Sequence, residues 1–391
     1  MDWPIPDIPE VVKLEKYRFD KPLFWFAGLF IIFLLSVPVI LSLWQNRPFS
    51  LLFWVLLFGV PLLLWGSLRL MFFSWEYSRK SQFDAWEVEK NRIRQHWQNW
   101  AQKNIAVVGS GIYLPESLNV SDVLAQQGEM RKGSPAVFDR AEKDDYEIKE
   151  DIFKEFGGFV ESMLAALPYK ELLVCLDVAN EYSREEDFQA LSDYLNYSGI
   201  SEQVQTEISL LEHGIEALGN WIQTTPEKLV VVLSLALNED EDNAAPESAA
   251  WFAFVPKQSA AKQQANIQGY VFRQIELDYE DNEALGELVR KKYAPYALKD
   301  KEPSAMWLGN IAPDKMSVLL ENLYASGLKF WRGKDGVEVL TTDRYFDGAV
   351  NSHWLVLWFA LNSEMSGKDV LWLAGDQQKV YLGLVSFSHT S

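Results

Sequence analysis

A single cysteine, Cys175, stands in a chain of 391 residues, so no intramolecular disulfide can form. The chain fits a reducing compartment. There are only four histidines, His96, His213, His353 and His389, and none lies in an HxxxH or CxxC spacing, which excludes the common zinc frameworks. No P-loop and no GxSxG elbow is present. The one glycine-rich strand end, Gly109-Ser110-Gly111 within NIAVVGSGIYLP, lacks the third glycine of a dinucleotide fingerprint. Proline and glycine are missing from Met71 to Lys103, and charge is missing from two long runs, Pro22 to Trp44 and Pro48 to Leu68.

Those two runs, separated by Gln45, Asn46 and Arg47, each have about the 20 residues that cross a bilayer core. They read as a transmembrane hairpin over residues 22–70. Before it stand Lys13, Lys16, Arg18 and Lys21, and after it Arg69, Arg79, Lys80, Lys90, Arg92 and Arg94, against Arg47 alone in the turn. The excess of basic residues on both flanks predicts that both ends face the cytoplasm. The first run is too long for a cleaved signal peptide and leads straight into the second.

Residues 1–21 form a short N-terminal segment. Residues 71–103 predict one continuous helix, a stalk of roughly 50 Å at 1.5 Å per residue. Trp75, Trp86, Trp97 and Trp100 stand on it, either packing on the body or forming a self-association or partner surface. Residues 1–103 carry 12 Lys and Arg against 9 Asp and Glu, which leaves a net charge of −22 on residues 104–391. A body that acidic is repelled by nucleic acid and by an anionic leaflet.

Helix and strand signals alternate through residues 104–391, as in an α/β architecture. Strands are expected at NIAVVGSGIYLP, ELLVCLDV (Glu171–Val178), KLVVVLSLAL (Lys228–Leu237), SAAWFAFV, Gly269–Leu277, Asp369–Ala374 and Val380–Phe387. Lys228–Leu237 is too apolar for a sheet edge. Helices are expected at Ser121–Gln127, Ile152–Leu167, Glu185–Tyr197, Val204–Gln223 and His353–Asn362. Arg131–Glu150 reads as a charged surface excursion.

The order of these elements resembles the thiolase-like family of β-ketoacyl synthases. IAVVGSGIYLPES is similar to its opening strand. EISLLEHGIEALGNWIQTTPEKLVVVLSLAL followed by ESAAWFAFV resembles its nucleophile helix, central strand and next strand. FDGAVNSHWLVLWFALN followed by DVLWLAGDQQKVYLGLVSF resembles its closing helix and last hairpin. The resemblance implies two similar βαβαβ halves in five layers, with helices between the halves. It also implies a homodimer near the strand that follows the nucleophile helix, Lys228–Leu237. In the family a cysteine opens the buried helix, with two histidines or a histidine and an asparagine completing the site. The matching stretch here, Gln203–Ser209, offers only Thr206 and Ser209. The loop at WLGNIAP (Trp307–Pro313) has no histidine, and Gly375-Asp376-Gln377-Gln378 replaces the last glycine-rich turn. Condensing chemistry is therefore not expected, and Cys175 reads as a small buried residue in a strand.

No catalytic, cofactor-binding or metal-binding residue is expected. Asp177, Ser209 and Asp347 are the candidate polar site should the body be enzymatic, with Asp343 also near a helix start; capping is the alternative for the aspartates. Glu239–Asp242 and Asp144-Asp145 read as solvated loop charge. The expected function is an integral membrane adaptor with a protein partner and no cofactor; the alternative is an enzyme or binding protein for lipid or acyl chains. The N-terminal WPIPDIPE, followed by YRFDKPLFWF, is also similar to bacterial inner-membrane proteins associated with type VI secretion. That likeness implies an effector, a spike carrier or an apparatus component as the partner.

Overall fold

The structure is a computed structural model that describes residues 3–8, 22–45, 48–127, 135–141, 143–180, 182–212, 214–238, 245–278, 282–329, 336–363, 368–375 and 379–387. It divides into two compact units, one of Pro6–His96 and one of Met1–Ile5 with Trp97–Ser391.

Two helices dominate the smaller unit. Helix α1 (Pro22–Leu43) is a charge-free run with no buried residue, and α2 (Leu51–Ala101) runs for 51 residues. Both are long and apolar enough to cross a membrane. They pack side by side through aromatic contacts, Phe33 on Phe58 at 6.1 Å and Trp25 on Phe72 at 5.4 Å. Trp65 Nε1 donates to the Trp25 carbonyl at 2.9 Å. Pro38 and Pro61 lie inside the helices.

The larger unit is a mixed sheet of eleven strands with helices on both faces. Its first half holds β1 (Asn104–Tyr113), β2 (Glu171–Val178), β3 (Gln205–Leu210), β4 (Leu229–Ala236) and β5 (Ser248–Pro256). The second half holds β6 (Gly269–Phe272), β7 (Ile275–Asp278), β8 (Pro303–Gly309), β9 (Glu338–Thr341), β10 (Asp369–Gly375) and β11 (Lys379–Ser386). In space the order is β3-β2-β4-β5-β1-β6-β11-β10-β8-β9, with β7 also on β11. Outward from the central β1–β6 pair, each half runs the same way. The first strand pairs antiparallel with the last, the last antiparallel with the one before it, and two more follow in parallel, with β7 as an addition to the second half. This repeat is the pair of similar halves that the sequence led us to expect.

Strand β4 is buried along its whole length and lies between β2 and β5, so neither of its edges can receive another strand. The two ends of the sheet are β3 and β9.

Helices α4 (Asp145–Ala166), α5 (Arg184–Tyr197) and α11 (Pro313–Ala325) contribute to the core on one face. The opposite face packs on α7 (Glu216–Thr224) and α13 (Ser352–Asn362). Every residue of α13 from Trp354 to Leu361 is buried, the mark of a helix enclosed on all sides. Its Trp354 meets Phe252 of β5 at 5.3 Å, while its Phe359 stacks on Trp307 of β8 at 5.2 Å. The helix thus lies between the two halves as a central layer.

Two expectations need correction. Val204–Gln223 is not one helix: after the short turn α6 (Ile200–Gln203) come strand β3 and then the nine-residue α7. The alternation of Gln205, Glu207 and Ser209 with Thr206, Ile208 and Leu210 has period two, and β3 lies in parallel register on β2. The charged stretch Arg131–Glu150 ends in ordered structure rather than in a loop. Asp144 and Glu147 form a capping box, with Glu147 N donating to Asp144 Oδ1 at 2.8 Å, and α4 starts at Asp145. Upstream, Arg140 donates to the fully buried Glu247 at 2.6 Å, which staples residues 135–140 to the segment before β5. Glu239–Asp242 lie outside the described residues.

Between Asn119 and the second half lies the short α3 (Val120–Leu124), capped by Asn119 Oδ1 on Ser121 N at 3.0 Å.

Candidate functional site

Polar side chains enter the central layer at one corner, where the end of β2, the start of α7, the start of α13 and strand β11 converge. Asp177, next to last in β2, lies two residues beyond Cys175 and so on the same, inward face of the sheet. Its Oδ2 accepts a hydrogen bond from Trp354 Nε1 at 2.7 Å and lies 3.6 Å from His353 Nε2. Neither ring nitrogen of His353 has a hydrogen-bond partner among the described residues.

Before α7 the chain closes tightly on this pair. Gly214 has φ +47°, and a Cβ there would stand 3.0 Å from His353 Nε2 and 3.5 Å from Asp177 Oδ2. Positive φ and lack of space both select glycine.

On the other side of the imidazole, Tyr381 of β11 has its ring centroid 6.2 Å from that of His353. Its hydroxyl donates to Glu216 Oε1 at 3.1 Å, and Lys379 Nζ donates to the same oxygen at 2.8 Å. Lys379 also pairs with Glu276 of β7 at 2.6 Å. Hydrogen bonds to Glu216 and Glu276 hold the Lys379 ammonium well above its ordinary range. Burial is the largest single effect on the Glu276 carboxyl and raises it, but the bond from Lys379 and the surrounding positive charge together hold the group below the usual carboxylate range.

More unpaired atoms line the same layer. Ser234, the register partner of Asp177 on β4, is fully buried with its Oγ unpartnered among the described residues. Asn351, just before α13, accepts from Ser248 Oγ at 3.2 Å, while its Nδ2 has no partner among those residues. Ser352 Oγ donates to the Gly375 carbonyl at 2.9 Å. A buried polar atom left unpaired costs about 1–3 kcal/mol, so such a cluster is a candidate place for a polar ligand or water. An imidazole with two free nitrogens beside a carboxylate can move a proton or hold a polar ligand.

The three polar candidates are not brought together. Asp177 lies at this corner. Ser209 lies on β3 opposite Cys175, not at a helix start, and its Oγ donates to the Leu210 carbonyl at 3.3 Å. Thr206 is likewise on β3, donating to the Val204 carbonyl at 3.2 Å. Asp347 is exposed at the end of α12 (Asp343–Phe346) in the second half. Asp343 is not a cap; its Oδ1 accepts from Asn310 N at 2.6 Å, and burial pushes its carboxyl up, with the charge of Asp347 adding to the effect. Asn310 thus belongs to the WLGNIAP loop that follows β8.

Cys175 is 2% exposed in mid-strand, and burial pushes its thiol up to about 12. The helix that the resemblance matches to a nucleophile begins at Glu216, not within Gln203–Ser209. His213, His389 and Asp376–Gln378 lie outside the described residues. Among those residues no group of three or more His, Cys, Asp or Glu is arranged to hold a metal ion.

The four tryptophans of the expected stalk, Trp75, Trp86, Trp97 and Trp100, separate into two pairs. Trp75 is 47% exposed, with the Arg79 guanidinium 5.0 Å from its ring centroid, and Trp86 is half-buried; both belong to the Pro6–His96 unit. Trp97 and Trp100 belong to the larger unit and meet edge to face at 5.7 Å. Trp100 also meets Trp3 at 5.3 Å and lies under the Arg273 guanidinium at 4.1 Å.

Sequence reasoning missed His353, Tyr381, Lys379 and Glu216 as neighbours, because each comes from a different element. One local signal was present: the polar triplet Asn351-Ser352-His353 opens a helix that is apolar on every side.

No family model matches the chain, and no curated protein matches it. Solved structures similar to it are ketosynthases. One is the ketosynthase from module 6 of the bacillaene synthase of Bacillus subtilis 168, at TM-score 0.52 and 10% identity over 73% of this chain and 72% of that one. Another is a chain of the AntDE:AntF complex, a type II PKS acyl-carrier protein with its ketosynthase bound to the hexaketide, at TM-score 0.50 and 13% identity over 73% of this chain and 100% of that one. At such identities the likeness is one of fold: residues 97–391 adopt a thiolase-like, ketosynthase-type α/β architecture.

Proposed function

We propose that this protein is a membrane-anchored adaptor whose thiolase-like body has lost condensing chemistry and holds a protein partner at the bacterial inner membrane. The observation that carries this reading is the position of Cys175. The chain's one thiol lies buried in the middle of β2 and is pushed up to about 12, while α7 opens on Glu216, already bonded to Lys379 and Tyr381. A thioester-forming nucleophile needs an accessible thiolate, and this thiol is neither accessible nor ionised at neutral pH.

Helices α1 and α2 supply the anchor, with 22 residues in the first and an apolar first half in the second. The contact of Trp3 with Trp100 supports a hairpin, since residues before α1 and after α2 must then share one side of the bilayer. The basic flanks make that side the cytoplasm. The likeness of WPIPDIPE and the following basic aromatic stretch favours a role beside type VI secretion machinery, in loading or assembling an effector or spike. The charge of the body argues against a nucleic-acid partner. A homodimer would use the end strand β3, since β4 is enclosed.

A second reading, a lipid- or acyl-binding protein or enzyme at the membrane surface, is favoured by one observation: neither nitrogen of His353, beside Asp177, has a hydrogen-bond partner among the described residues. Intact-mass analysis of the full-length protein in detergent, after incubation with acyl thioesters and acylated carrier protein, separates the two. The adaptor reading expects no mass increase and no released thiol; a covalent acyl adduct or thioester turnover would contradict it.

A further inference from the structure

Trp3, Pro4 and Ile5 lie on the larger unit with alternating burial. Trp3 and Ile5 are each 3% exposed and Pro4 faces out. Proline at positions 4 and 6 restricts the backbone to extended and polyproline-like shapes, which brings every second side chain to one face.

The groove that receives them has three walls. The end of α2 gives Trp97, Trp100 and Ala101. The link between β6 and β7 gives Arg273 and Gln274, and a π-helical turn (Val289–Tyr293) gives Lys292 and Tyr293. Trp3 is fixed from every wall. Its Nε1 donates to the Gln274 carbonyl at 3.0 Å, its own carbonyl accepts from Lys292 Nζ at 3.2 Å, and its ring meets Trp100 at 5.3 Å and Tyr293 at 5.4 Å. Tyr293 is fully buried, and its hydroxyl has no hydrogen-bond partner among the described residues.

This is how a protein binds a foreign peptide: an indole in a desolvated aromatic pocket, a second apolar anchor two residues on, and a hydrogen bond to the peptide backbone. The occupant belongs to no strand or helix of the body, and along the chain it reaches the body only through the Pro6–His96 unit. We propose that this groove is a peptide-recognition site for extended Trp-Pro-aliphatic-Pro segments, filled in cis by the chain's own N-terminus as a detachable latch. π-helical turns recur at functional sites, and here one delivers two consecutive residues to the same indole.

Full-length protein in detergent micelles provides the test, with a fluorescent peptide of residues 1–8 as probe. In the Trp3→Ala variant the groove has lost its occupant. The peptide should bind it saturably, at least about tenfold tighter than it binds wild type, a difference that losing one buried aromatic anchor readily produces. A peptide with alanine for Trp3 should bind neither protein. A folded Trp3→Ala variant that binds the probe no better than wild type overturns the proposal. Should that variant fail to fold, a protease site placed after Ile8 in otherwise wild-type protein decides the matter. After cleavage the resident segment should exchange for labelled peptide; retention without exchange overturns the proposal.

Discussion

Asp177 on β2 accepts a 2.7 Å hydrogen bond from Trp354 Nε1 on α13, and this bond ties the first half of the body to the central helix of the second. Trp354 is fully buried, so removing the acceptor leaves its indole N–H without a partner. Asp177→Ala should cost about 1–3 kcal/mol in urea denaturation, and Asp177→Asn, which keeps an acceptor oxygen, should cost less. Equal losses in the two variants would show that the charge, and not the bond, matters there.

Cys175 gives the alkaline side of the stability profile. Its thiol titrates near 12 in the folded chain and about 8.5 in the unfolded one, so the folded state keeps a proton that the unfolded state releases. The stabilisation is fully present below about pH 8.5 and is lost as pH rises through 12. Denaturation of wild type and Cys175→Ala between pH 8 and 11 should give a steeper fall for wild type. Parallel curves would contradict burial of the thiol.

Glu247, fully buried, has Arg140 as its cation and the backbone N–H groups of Phe138 and Asn238 as further donors, at 2.8 and 2.7 Å. Arg140→Ala would strand a buried carboxylate, for which about 3–5 kcal/mol is the usual cost. Glu247→Gln together with Arg140→Ala should recover part of that loss, measured in a double-mutant cycle.

Trp97, Trp100 and Ala101 form part of the core of the larger unit. A fragment that starts at residue 97 should therefore melt higher and stay soluble at higher concentration than one that starts at residue 104. Identical melting curves would place these residues outside the folding unit.

Much of the fold was legible because its strands are long and apolar. ELLVCLDV and KLVVVLSLAL read as enclosed strands and are so, β2 and β4, and WLVLWFAL read as a helix and is the central α13. What misled was the stretch after Tyr197. Small and apolar residues at mixed spacing suggested one helix, whereas six alternating residues there pair with β2 and leave only nine for α7. That shift moved the expected site from Ser209 to the segment before Glu216. The corner of Asp177, His353, Tyr381 and Lys379 was not legible because its members are distant in sequence and meet only through sheet order. Trp3 reads in the sequence only as part of the N-terminal segment 1–21, since nothing local signals that a segment of three residues docks far along the chain.

The adaptor account is tested most directly by affinity purification of the full-length protein from native membranes in mild detergent, with bound material identified by mass spectrometry. The expected result is co-purification of secretion-apparatus subunits or effectors in amounts comparable with the bait. Recovery of lipids or acyl-carrier proteins alone, with no such partner, would contradict it and return attention to His353 and Asp177 as the centre of an acyl-binding site.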